Sequence, residues 1–91
     1  MGKSSILFAV FWAKMRYYLL KVKGHANIPD YVQVRDAQFT LVCYVRPGRT
    51  DKRTLLPPGL LQELSTVFPQ LPYGQVQPVE WDPDRKILTL L

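Results

Sequence analysis

Within residues 15–91 one stretch carries a helical period, and prolines fence it on both sides. Leu60, Leu61, Leu64, Val67 and Phe68 recur at i, i+1, i+4, i+7 and i+8, a single apolar stripe, with Gln62, Glu63, Ser65 and Thr66 turned away from it. Pro57 and Pro58 suit the opening of a helix, where a missing N–H is no loss, and Pro69 and Pro72 end it. The other patterned stretches alternate with the period of a strand. One short helix among several strands leaves few ways to close a core. The expected architecture is an α+β domain, a single sheet with the helix packed on one face.

Arg16 to Lys23 reads as the first strand, with Tyr18, Leu20 and Val22 on one face and Tyr17, Leu19, Lys21 and Lys23 on the other. Gly24 to Asp30 is a loop. Tyr31 to Arg35 reads as a second strand, expected at an edge because Pro29 precedes it. Asp36 or Ala37 marks a turn or bulge. Gln38 to Arg46 is the strongest strand signal: Phe39, Leu41, Cys43 and Val45 share a face, and Val42 and Tyr44 lie opposite. Both faces are largely apolar, which predicts a central position. Pro47-Gly48 is a turn signal, and a basic loop runs on to about Arg53. After the helix, Tyr73-Gly74 turns the chain into two strands, Gln75 to Trp81 and Lys86 to Leu91, joined by Asp82-Pro83-Asp84-Arg85. The order β-β-β-α-β-β predicts a small sheet of about five strands. Its uncovered face would offer Tyr17, Leu19, Val42 and Tyr44 to a partner.

Size permits one domain, residues 15–91, preceded by an apolar N-terminal extension, residues 1–14. At 47% apolar and 21% charged, the composition is that of a globular chain rather than a disordered one. In the extension, Ile6 to Ala13 is an apolar run between Lys3 and Lys14. It is too short for a transmembrane helix, which needs about 20 residues. It also lacks a signal-peptide cleavage pattern, and Ile6 stands where a myristoylation motif needs Ser or Thr. Three readings of it stay open: an upstream-start extension before Met15, a short helix packing on the body or on a partner, and an interfacial anchor.

No catalytic constellation assembles, so the chain is expected to be non-catalytic, without cofactor or metal. His25 is the one histidine and falls in a loop; Cys43 is the one cysteine and falls in an apolar strand. Together they are too few for a structural zinc site. Glu80, Asp82 and Asp84 read as a solvated turn in which Asp82 bonds its own backbone, with a weak divalent-ion site as the sharper alternative.

Charge carries the functional signal. Ten of the twelve Lys and Arg, but three of the seven acids, lie in residues 1–53, and the formal net charge is +5. Arg46, Arg49, Lys52 and Arg53 crowd one expected loop, which points to an acidic partner. Two readings follow. In the first the chain is an interaction module that docks on a larger protein complex, steered by those four cations and anchored by Tyr17, Tyr44 and Trp81. In the second, Lys21, Lys23 and the same loop contact phosphates while Tyr17 or Tyr44 stacks on bases of an RNA or single strand. No RNP, KH or zinc-finger pattern supports the second.

Met15-Arg-Tyr-Tyr-Leu-Leu-Lys-Val-Lys23, Leu56-Pro-Pro-Gly-Leu-Leu-Gln-Glu-Leu64 and Val79-Glu-Trp-Asp-Pro-Asp-Arg85 together resemble the V subunit family of the photosynthetic NAD(P)H dehydrogenase-like complex of cyanobacteria and chloroplasts. The resemblance covers most of residues 15–91. It implies a small peripheral subunit on the cytoplasmic or stromal arm, at the cytoplasmic face of the thylakoid, associated with the membrane through the complex. It also implies proximity to the place where an acidic ferredoxin delivers electrons. The chain has no set of cysteines to ligate an iron–sulfur cluster itself.

Overall fold

The computed structural model describes residues 14–46 and 56–91. The expected loop cations Arg49, Lys52 and Arg53 and all but the last residue of the N-terminal extension lie outside the described residues. The elements are β1 (Met15–Val22), β2 (Tyr31–Arg35), β3 (Leu41–Val45), α1 (Leu60–Val67) continued by a 3-10 turn (Phe68–Gln70), β4 (Val76–Asp82) and β5 (Ile87–Leu90). They form one antiparallel sheet in the order β3-β2-β1-β4-β5, with the helix on one face, the α+β arrangement expected.

β1 sits at the centre because both of its neighbours match its alternation. Leu19 pairs with Val34 and Lys21 with Val32 on one side; Tyr17 pairs with Val79 and Met15 with Trp81 on the other. Those pairs point to the face that α1 covers. There Leu60, Leu64 and Val67 bury their stripe with Leu19, Val32, Val34, Val45, Val79, Trp81 and Leu88 to form the core. The helix begins at Gly59, whose φ of 88° reverses the chain after Pro57-Pro58.

Two strand positions depart from expectation. β3 is an edge strand, not a central one, and β2 is interior, not an edge. Pro29 lies ahead of β2's first residue, so it removes no ladder donor. The second apolar face of β3 is handled locally: Tyr44 stays exposed against Tyr31, and Val42 packs half buried on the core beside a bulge between Val34 and Arg35. β3 also begins later than expected. Gln38, Phe39 and Thr40 belong to a turn held by the Asp36 carboxylate, which accepts the N–H groups of Gln38 (3.0 Å) and Thr40 (2.9 Å).

The face of β1 is the third departure. Tyr17 and Leu19, expected on the open side, lie on the covered side, and Leu19 is 1% exposed. The presence of Lys21 and Lys23 on that side made it look polar. Lys21 is buried nonetheless, because its ammonium finds partners at the far end of the helix. It donates to the carbonyl oxygens of Phe68 (3.1 Å) and Leu71 (3.3 Å), and sits 4.5 Å and 4.3 Å from the ring centroids of Phe68 and Tyr73. The last turn of α1 holds no basic residue of its own; the central strand supplies one, which adds a charged donor to the Phe68 carbonyl, already bonded by the Leu71 N–H, and reaches the Leu71 carbonyl beyond the 3-10 turn.

The loop after β1 is closed at the same end of the molecule. Asp30 accepts the Gly24 N–H at 2.8 Å and the Tyr73 hydroxyl, and Gly74 donates its N–H to the Lys21 carbonyl at 2.9 Å. Gly24 must lack a side chain, since a β-carbon there would fall 1.8 Å from the Ile28 oxygen. The Tyr73 bond and the Gly24 bond hold the Asp30 carboxyl below the ordinary carboxylate range, and the same bond holds the Tyr73 phenol above its ordinary value. Asp30 therefore contributes stability that is present above its unfolded-state titration and lost as pH falls through the lower folded value. Tyr73 contributes stability that is present below its unfolded-state titration and lost as pH rises through the higher folded value. The expected result is that Asp30→Asn flattens both the acid and the alkaline limb of a stability–pH profile measured by urea unfolding, whereas Tyr73→Phe flattens the alkaline limb and only part of the acid limb, because the Gly24 bond to Asp30 remains.

Candidate docking surface

The residues between those that face the core define the opposite side of the sheet. Register and alternation place Arg16, Tyr18, Leu20 and Val22 of β1 there, beside Gln33 and Arg35 of β2, Tyr44 of β3, and Val76, Pro78 and Glu80 of β4. Among the described residues no helix lies over this face. It is aliphatic along β1 and β4 and aromatic toward β3. Tyr31 and Tyr44 meet edge-to-face at 5.5 Å, and Tyr18 meets Phe39, from the β2–β3 turn, edge-to-face at 5.6 Å. Four of the seven large hydrophobics exposed among the described residues belong to this side: Phe39, Tyr44, Val76 and Ile87. Such a concentration marks an interaction surface more often than scattered exposure does.

Cations sit within and around this surface. Arg35 is held in its middle: its terminal nitrogens donate to the Phe39 carbonyl and the Gln33 side-chain oxygen, each at 3.1 Å, and its guanidinium lies 4.8 Å from the Phe39 ring centroid. Arg16 is exposed at one end of the same face, and exposed Arg46 follows the last residue of β3. Two of the nearby acids are committed to turns. Asp36 holds the β2–β3 turn, and Asp82 accepts the N–H groups of Asp84 (3.0 Å) and Arg85 (3.2 Å) in the β4–β5 turn. That second arrangement is the self-bonded turn expected for the acidic cluster.

The anticipated binding residues divide. Tyr44, 56% exposed, and Arg46 are on or beside the open face. Lys23 is exposed but near Tyr73, 5.9 Å from its ring centroid, at the helix-covered end. Lys21 is not a surface cation: buried to 6% and bound to Phe68 and Leu71, it is a strut. Trp81 is not an anchor: it is fully buried in the middle of the core, between the Cα partners Met15 and Leu88. Tyr17 is on the covered face, half buried, with its hydroxyl 3.6 Å from the Met15 sulfur. Burial first, then the charges of Asp36 and Cys43, raise its phenol's pKa. Arg35, Phe39, Tyr18 and Tyr31 were not anticipated. The signal was present in Asp36-Ala-Gln-Phe39, which has the length of a hairpin turn and puts an aromatic ring where such turns favour glycine.

Among the described residues no three His, Cys, Asp or Glu side chains are grouped as metal ligands, and no helix is long and apolar enough to cross a membrane. No family model matches the chain, and no curated protein or solved structure matches it.

Proposed function

We propose that this chain is a small non-catalytic accessory subunit that docks on a larger electron-transfer complex, contributing to the stability of that complex or to the binding of an acidic ferredoxin. The observation that carries the docking part is the uncovered sheet face, where apolar and aromatic side chains surround Arg35 and are bordered by Arg16 and Arg46. Cations around an apolar patch suit a protein partner: the apolar centre supplies affinity, and the charges steer encounter and confer salt sensitivity. The resemblance to the V subunit family directs the choice of assembly to test, a photosynthetic NAD(P)H dehydrogenase-like complex at the cytoplasmic face of the thylakoid. The nucleic-acid reading fits the face less well. Glu80 lies on it opposite Arg16, and the aromatic rings meet edge to face instead of forming a row of free stacking platforms.

The test is capture from native extract of the source cells with tagged chain at low salt, with and without nuclease. The reading expects a defined redox complex, retained after nuclease and lost when Arg46, Arg49, Lys52 and Arg53 are reversed to Glu. Nuclease-sensitive recovery of nucleic acid in place of the complex contradicts it.

A further inference from the structure

Phe39 occupies a backbone position that a phenylalanine does not choose. Its φ of 65° lies in the left-handed region, in a turn where glycine or asparagine is the ordinary solution. A bulky side chain there is strained, and burial gives little in return because Phe39 is 46% exposed. What the strain accomplishes is placement. The ring is set edge-to-face on Tyr18 and beneath the Arg35 guanidinium, and the Phe39 carbonyl accepts one of the Arg35 bonds. Arg35 is thereby pinned at both terminal nitrogens, while its Nε is buried without a hydrogen-bond partner. Each terminal nitrogen still has a second N–H to give. A half-exposed aromatic ring under strain, beside a preorganised guanidinium and an apolar floor of Leu20, Val76 and Pro78, has the composition of a binding hot spot.

We propose that Phe39, Arg35 and Tyr18 form the anchor of the open sheet face, and that its occupant is an acidic segment of a partner protein. A carboxylate of that segment takes the remaining Arg35 donors, and a neighbouring apolar side chain packs on Phe39 and Tyr18. The charge beside the anchor selects the acid: Arg35 keeps free N–H donors and Arg46 follows the neighbouring strand β3, while the carboxylates of Glu80 and Asp82 lie on β4, with β1 between them and β2. Glu80 on the same face and the continuous aliphatic surface beside the anchor select a protein over a polyanion. This inference rests on the docking reading and adds the site and the chemistry of the partner.

The experiment pans a displayed library of random linear peptides against the full chain, then measures binding of the enriched peptides, and separately of polyuridine, by fluorescence anisotropy. Enriched peptides are expected to combine Asp or Glu with an adjacent aliphatic or aromatic residue. Phe39→Asn, which suits the left-handed backbone, is expected to weaken their binding by about tenfold or more while leaving the thermal midpoint unchanged or raised. Arg35→Lys keeps the charge but loses the planar fork, and is expected to weaken binding by about tenfold. Peptides that bind both variants at full strength overturn this anchor and leave the docking reading standing. A lowered thermal midpoint in Phe39→Asn with binding intact makes Phe39 structural and also overturns it. Polyuridine bound in place of peptides overturns both the anchor and the protein-docking reading.

Discussion

Trp81→Ala is expected to remove about half of the domain's stability or more. Trp81 is the largest fully buried side chain among the described residues, and it stands where β4 meets both β1, through Met15, and β5, through Leu88. A β-carbon added at Gly59 would sit 3.6 Å from its ring, so the entry to α1 also rests on it. Removing so large a ring from a core costs about 3–5 kcal/mol, because the lost transfer energy is joined by a cavity the surroundings only partly fill. A domain of this size has total stability of roughly 5–10 kcal/mol, so the substitution removes about half or more. Trp81→Phe is expected to be far milder, about 1–2 kcal/mol. The indole Nε1 is buried without a hydrogen-bond partner, and a phenyl ring sheds that unsatisfied donor along with the lost volume. Urea unfolding of the two variants, followed by circular dichroism, checks the contrast. Equal losses would show that the site responds to the indole N–H and not to ring volume.

The second large effect belongs to Lys21. Lys21→Met preserves most of the side chain's length and apolar body but removes the donor to Phe68 and Leu71 and the cation between the Phe68 and Tyr73 rings. The Phe68 carbonyl keeps the Leu71 N–H, so the loss is mainly that of one charge-assisted bond to the buried Leu71 carbonyl, about 1.5–3 kcal/mol. A destabilisation of about 2–3 kcal/mol is expected, with Lys21→Ala worse because a cavity is added. Lys23→Met is the matched control: Lys23 is exposed just past the end of the same strand, and surface changes usually stay within about 0.5 kcal/mol. If both lysines are equally tolerant of replacement, the ammonium does not tie the helix end to the central strand.

The Lys21 and Phe39 positions show what in this fold the sequence can convey. The helix was legible because its stripe and its bracketing prolines are local. The β4–β5 hairpin was legible because Asp82 supplies its own turn bonds. The order of strands was not, because nothing local distinguishes an edge strand from an interior one when both carry apolar faces. The facing of β1 failed at one residue. A lysine on the core side looks like evidence for solvent until the start of the 3-10 turn, 47 residues on in the chain, offers it a carbonyl. The same contact that hides the core face hides the open one, so the sequence points to Tyr17 where the structure places Tyr18. In the sequence Phe39 reads as a strand residue because apolar alternation continues through it. Its positive φ arises from the Asp36 turn, which competes with the strand and wins.

On the proposed reading the chain binds an acidic protein through the side of the sheet the helix leaves uncovered. The most direct measurement is amide-resolved NMR of isotopically labelled chain as the complex recovered from extract is added at low salt. The account predicts that signals of Tyr18, Leu20, Gln33, Arg35, Phe39 and Tyr44 broaden first, and that added salt restores them. Perturbation centred on the solvent side of α1, at Gln62, Ser65 and Thr66, with the open face unchanged, would contradict it.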